Sequence, residues 1–218
     1  MGRPKTYDEA LRNRLLDEAG KMLSSEGYSS VSLRTLTTLA ETSTNAVYTL
    51  FGSKEALMAE VILNRIEEAL KPINEAAEQQ DPLKALVDVA HGLRSFALSQ
   101  PNLFEGAFDA MAEARKSNSL TERFNPAVRE IDKQMLAPIK TVCERIAETS
   151  DVLDLCPTRM SMILWAALHG YLVLEIAGLL PEEGGDTDEV FDELLVALTR
   201  GWVAGDLGDL VVSQKQQA

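Results

Sequence analysis

Cysteine and histidine are almost missing from this chain: Cys143, Cys156, His91 and His169 are all it has in 218 residues. Two cysteines cannot staple a disulfide scaffold, and so few ligands at such spacing form no metal cluster. No metal and no cofactor is therefore expected, and free thiols in or near a reduced core are the plainer reading. No apolar run of about 18 residues is free of charge, so a membrane span is not expected. The opening residues MGRPKTYDEALRNR show no hydrophobic signal core, and a soluble, cytoplasmic protein is anticipated. Glycine-rich phosphate loops and nucleophile–base pairs are missing too, which argues against an enzyme. Thirteen glycines and eight prolines are scattered, so no low-complexity linker divides the chain. Nothing alternates with the period of a strand, which leaves an all-α fold of about nine helices.

Basic charge is also scarce: 21 Lys and Arg against 34 Asp and Glu give a net charge of −13. The deficit is uneven. From Met1 to Glu55 seven basic and seven acidic residues cancel, so the whole excess of negative charge falls on the rest of the chain. Such asymmetry suggests two jobs, with the acidic bulk repelling phosphates and the neutral N-terminal part left as a contact surface. The 45% of hydrophobic residues is enough to bury a substantial core.

The most informative stretch is SLRTLTTLAETSTNAVYTLFGSKEAL, Ser32 to Leu57. Ser32 is placed to cap a helix in which Leu33, Leu36, Leu39 and Ala40 recur on one face. Glu41 and Thr42 form a turn. Ser43 is placed to cap a second helix, Thr44 to Leu50, whose Ala46, Val47 and Leu50 face inward while Thr44, Asn45, Tyr48 and Thr49 point out. Ser53 opens a third helix at Lys54. Two helices at this spacing make a helix-turn-helix, whose second helix can enter the major groove of DNA.

Gly27-Tyr28, Ser32, Arg34, Leu36, Ala40, Ser43, Val47-Tyr48, Phe51, Lys54 and Leu57 together resemble the DNA-binding region of the tetracycline-repressor (TetR) family of bacterial regulators. Its Tyr-x-x-Phe-x-x-Lys-x-x-Leu signature is matched at every slot from Tyr48 to Leu57. One position departs: the family commonly has Gly where this chain has Glu41, although a non-Gly residue with positive φ is disfavoured. The resemblance implies an N-terminal DNA-binding unit, 1–52, followed by a ligand-binding and dimerisation domain, 53–205, with 206–218 as a frayed tail.

The rest of the chain supports that plan. Thr6 with Glu9 forms a capping box, and Leu11, Leu15, Ala19, Met22 and Leu23 stripe a first helix that Gly27 should end. The helix from Lys54 carries Leu57, Val61, Ile62, Ile66 and Leu70 as far as Pro72, expected to kink or end it. Asp81-Pro82 begins another, which stops before Pro101; a shorter one follows over Asn102–Ala114, then a loop over 115–119. A long amphipathic helix from Pro126 is expected to be interrupted at Pro138. Between Met160 and Leu180 the only charge is Glu175, so a helix from Pro157 to Leu180 should be buried round most of its circumference. Asp186 with Glu189 caps the last helix.

Arg3 and Lys5 form a basic arm able to reach phosphate or the minor groove. Thr44 and Asn45 stand where side chains meet base edges, and Asn can pair with adenine N6 and N7. Thr49, facing out, and Ser43, at the helix start, are further candidates for DNA contact. The resemblance implies phosphate contacts from Tyr48, Ser53 and Lys54, with Arg34 a further backbone contact. It also implies a double-stranded DNA operator, a homodimer built on the last two helices, and an inducer held among the C-terminal helices. That inducer is expected to be apolar or amphipathic. Candidate walls are Phe96, Phe104, Phe108, Met111, Met135, Trp165 and His169. For the dimer, Ile163, Ala166, Gly170, Leu174 and Ala177 share one side of their helix, joined by Phe191, Leu194 and Leu198 of the last helix. The rival reading is a helical interaction adaptor that binds no DNA.

Overall fold

The computed structural model describes residues 9–116, 125–148, 156–181 and 185–202. Among the described residues there are nine α-helices and no strand. They are α1 (Glu9–Glu26), α2 (Leu33–Leu39), α3 (Thr44–Phe51), α4 (Lys54–Ala77), α5 (Pro82–Ser99), α6 (Pro101–Lys116), α7 (Pro126–Ala147), α8 (Pro157–Ile176) and α9 (Thr187–Arg200). The arm with Arg3 and Lys5, the Thr6 cap, most of the loop expected at 115–119 and the tail lie outside the described residues.

Two compact units emerge, Met1–Glu68 with Gln100–Gln134, and Ala69–Ser99 with Met135–Ala218. By compactness the two units divide within α4. A three-helix unit of this size has too little apolar area to stand alone, and the first half of α4 and α6 enlarge it. In this first unit the α1 stripe of Leu11, Leu15, Ala19, Met22 and Leu23 is buried, as are Leu57, Met58, Val61, Ile62 and Ile66 of α4. From α6, Asn102 Nδ2 donates to the Ser24 carbonyl at 2.8 Å, tying down the C-terminal turn of α1. Gly106 lets the two helices approach closely, since a Cβ there would lie 3.1 Å from Leu23 Cδ1.

In the second unit the interruption expected at Pro138 is corrected, and of the two outcomes expected at Pro72 the end of the helix is excluded. Neither Pro72 nor Pro138 ends its helix: α4 continues to Ala77 and α7 runs unbroken to Ala147. Proline removes one backbone donor, but the burial of Leu70, Ile73 and Ala77 on α4, and of Met135, Ile139 and Val142 on α7, outweighs that loss. The end of α4 is fixed by tertiary contact. Arg145 of α7 donates to the carbonyls of Ala77 and Gln79, groups that no helix can satisfy internally. Asp81 caps α5 as expected, its Oδ1 accepting from Leu83 N at 2.9 Å.

The α8 helix ends earlier than expected. It stops at Ile176 because Gly178, at φ +65, turns the chain and Leu179 N donates back to Leu174 O at 2.9 Å. It is also buried on one side only: Met160, Leu164, Leu168, Tyr171 and Leu172 face inward, while Met162 and Ile163 are 62% and 51% exposed. Its one acidic residue, Glu175, is absorbed by α5. The Arg94 guanidinium grips the Glu175 carboxylate with Nε 2.9 Å from Oε2 and Nη2 2.5 Å from Oε1. Arg94 Nη1 reaches Asp188 Oδ1 at 2.7 Å, and its Cζ lies 5.0 Å over the Phe191 ring. The Tyr171 hydroxyl donates to Thr187 O at 2.7 Å. Three helices thus meet at one buried arginine, whose guanidinium is held more firmly protonated by the hydrogen bond to Glu175, against the opposing effect of burial. Among the described residues no helix is long and apolar enough to cross a membrane.

Candidate nucleic-acid interface

Helix α2 starts after Ser32, whose extended backbone (φ −96°, ψ 127°) puts it at the N-cap; its hydroxyl makes no capping bond. Leu36 and Ala40 are buried as the spacing predicts, but Leu39 is 52% exposed. At 100° per residue Leu39 stands a full step round from Ala40. Thr37 takes the buried place, its hydroxyl donating to Leu33 O at 2.8 Å.

The turn to α3 resolves the Glu41 departure. Glu41 adopts φ +51°, the only non-Gly residue to do so among those described. Thr42 N donates to Thr37 O at 2.8 Å and Glu41 N to Thr38 O at 3.2 Å, the two bonds of a Schellman cap with Glu41 at its left-handed position. The turn keeps the geometry a glycine would give and carries the strain of a side chain.

On α3, Ala46, Val47 and Phe51 are buried, while Thr44, Asn45, Tyr48 and Thr49 are exposed. Leu50, expected to face inward, is half-buried. Ser43 occupies the N-cap in extended conformation, but its hydroxyl does not cap, which leaves it outside the helix's own bonding. Thr49 Oγ1 donates to Asn45 O at 2.8 Å. The helix ends at Gly52, whose φ of +84° a β-carbon would resist. Ser53 does cap, its Oγ accepting from Ala56 N at 3.0 Å, and Lys54 begins α4 half-exposed beside that N-terminus. Arg34, on α2, is exposed. An anion meeting the start of α4 finds unpaired amide hydrogens and an ammonium group together.

A contact absent from the sequence reading holds this arrangement. Arg12 of α1 pairs with Glu60 of α4, and its Cζ stands 5.0 Å over the ring of Phe51 at the end of α3. Helices α1, α3 and α4 are thereby bolted together. No local pattern marks Arg12, because its partners lie far along the chain.

The comparison with known families settles the class. Residues 86–198 match the tetracyclin repressor-like C-terminal domain, and residues 15–61 match the bacterial regulatory proteins of the tetR family. The chain belongs to the TetR family. It is a DNA-binding transcription regulator, as its helix-turn-helix implies. An uncharacterized HTH-type transcriptional regulator of Mycobacterium tuberculosis is 24% identical over 190 residues, 87% of this chain and 80% of that protein. Among solved structures, a protein of unknown function from Rhodococcus sp. RHA1 is similar with a TM-score of 0.70 and 21% identity, covering 93% of this chain and 100% of that one. The transcriptional regulator FadR from Bacillus subtilis, solved in complex with stearoyl-CoA, gives a TM-score of 0.63 at 15% identity, covering 87% and 98%.

The residues expected to line a TetR ligand site are placed as follows. In the first unit the rings of Phe104 and Phe108 lie 5.3 Å apart between centroids, tilted by 59°, with Met111 buried on the same helix. In the second, Trp165 and His169 lie 5.8 Å apart with rings tilted by 32°. Burial pushes the His169 imidazole towards its neutral form. Phe96 and Met135 are buried. Of the expected interface set, Ile163, Ala166, Gly170, Leu174 and Ala177 are all exposed, and Leu194 and Leu198 are half-buried. Phe191 differs. It is fully buried in the protomer, with Tyr171 at 5.2 Å and His91 edge-on at 5.3 Å, and so contributes no surface.

Proposed function

We propose that this TetR-family protein binds a palindromic operator as a homodimer, represses transcription there, and is released by a small apolar or amphipathic molecule. The observation that carries the DNA reading is the exposed side of α3. Thr44, Asn45, Tyr48 and Thr49 face out beside the N-terminus of α4, where Ser53 and Lys54 stand. In this reading Asn45 pairs with an adenine edge, helped by Thr44. Arg34, Ser43, Tyr48, Ser53 and Lys54 hold phosphates, and Arg3 and Lys5 reach the backbone or minor groove.

Dimerisation is supported by the exposed side of α8, where the large apolar side chains of Met162, Ile163 and Leu174 stand bare. A second copy covering it also supplies the second recognition helix that a palindrome needs. An apolar inducer is favoured by the aromatic and Met side chains of the helices between Leu57 and Val173, and by the stearoyl-CoA bound to the FadR neighbour.

The test is selection of duplexes from a random pool, followed by mobility-shift titration of the enriched site. Asn45→Ala should lose about 1–3 kcal/mol and relax the preference at one base pair per half-site. Lys54→Ala should weaken all sequences alike and lower the salt slope. Uniform weakening by Asn45→Ala would remove it as a base reader, and no enriched site at all would sink the DNA reading.

A further inference from the structure

The outward side of α3 is uncharged: Thr44, Asn45, Tyr48 and Thr49 make up its surface. The commonest contact to guanine needs Arg or Lys reaching O6 and N7, and TNAVYTLF contains neither. It has one amide, Asn45, suited to adenine, and Thr49 one turn further along the same side. The Thr49 hydroxyl hydrogen is already donated to Asn45 O at 2.8 Å. That bond fixes the side chain about χ1 and with it the position of the γ-methyl group. With its donor engaged, Thr49 presents to a base edge a methyl group and an acceptor lone pair. Thymine shows no donor in the major groove, but it shows a C5-methyl group.

From this we infer that Thr49 is a specificity-determining residue that reads a thymine by methyl-to-methyl contact, in the same half-site as the adenine read by Asn45. The half-site core is then built of A·T pairs. The inference rests on the DNA-binding reading of α3. Its chemistry is distinct from a hydrogen-bonding role for the threonine, since a reader that used the acceptor lone pair would choose adenine N6 or cytosine N4 instead.

The experiment uses the full-length protein and the duplex it enriches from a random pool. Each thymidine of both half-sites is replaced in turn by deoxyuridine, which removes only the C5-methyl group. Affinities are measured for the native protein, Thr49→Val and Thr49→Ser; at an exposed position both variants should keep the native circular dichroism. At one thymine per half-site the native protein should lose about fourfold for each methyl removed. Thr49→Val, which keeps a methyl and loses the hydroxyl, should show native affinity and the same sensitivity. Thr49→Ser, which keeps the hydroxyl, should bind the thymidine duplex more weakly by a similar factor and ignore deoxyuridine at that position. A Thr49→Ser protein with native affinity and native sensitivity would overturn the inference. So would a Thr49→Val protein that lost the preference Thr49→Ser retained, since the hydroxyl would then be the reader. A native protein that enriches a site yet is blind to every deoxyuridine overturns this inference alone; one that enriches no site overturns the DNA-binding reading beneath it.

Discussion

At the scale of single residues, two positions carry costs that can be measured. Glu41 holds φ +51° in a cap that favours glycine, and a left-handed non-Gly residue costs about 1–2 kcal/mol. Glu41→Gly relieves that strain but frees the unfolded chain, which takes back about 0.4–1 kcal/mol. The net expectation is a gain of between about 0 and about 1.6 kcal/mol in denaturant unfolding, and a loss would show that the carboxylate itself stabilises the turn. Arg94 presents the opposite case. Its side chain and that of Glu175 are each less than a tenth exposed, so removing the guanidinium strands a carboxylate in the core. Arg94→Leu should therefore cost about 3–5 kcal/mol. Asp188, its other partner, is largely exposed, and Asp188→Ala should change stability little. If the Asp188 variant proved the more damaging, the ion pair to Glu175 would not be the contact that matters.

At the scale of elements, the sequence exposed some helices fully and others only in part. The α1 stripe, the Asp81 and Asp186 caps and the inward residues Ala46 and Val47 were legible because each depends on neighbours within a turn or two. The passage of α4 through Pro72 was not, because what fixes its end is Arg145, far away in the chain. Nor could composition say which part of α8 stays bare, since an apolar residue reads alike whether its own core or a partner covers it. Angular position did separate them: Ala166, Gly170 and Ala177 lie together on the exposed side. A Cβ at Gly170 would meet nothing within 4 Å in the protomer. Gly170→Leu should thus leave the protomer folded while overpacking a closely apposed partner helix, costing the dimer about 1–3 kcal/mol. Sedimentation and operator titration report it together. A folded, fully dimeric variant with unaltered operator binding would mean that this side faces something other than a second copy.

At the scale of the whole molecule, the charge of −13 and the neutrality of residues 1–55 describe a protein whose acidic remainder is unsuited to touching DNA. If a ligand held in that remainder releases DNA, as proposed above, the signal passes through conformation rather than through contact with the bases. Thermodynamics constrains how. A ligand shifts an equilibrium only by the difference in its affinity for the two states, and one that binds both equally shifts nothing. The operator and the inducer must also oppose each other by the same factor, since the coupling is reciprocal. A long-chain acyl compound is one probe of the proposed induction, given the apolar character of the candidate walls. Bound inducer should raise the melting temperature, and operator affinity should fall about 5–150-fold, the usual range of coupling between two sites. Saturating operator should lower acyl affinity by that same factor. An acyl compound that stabilised the fold but left operator affinity unchanged would bind without signalling, and induction by this class of molecule would have to be abandoned.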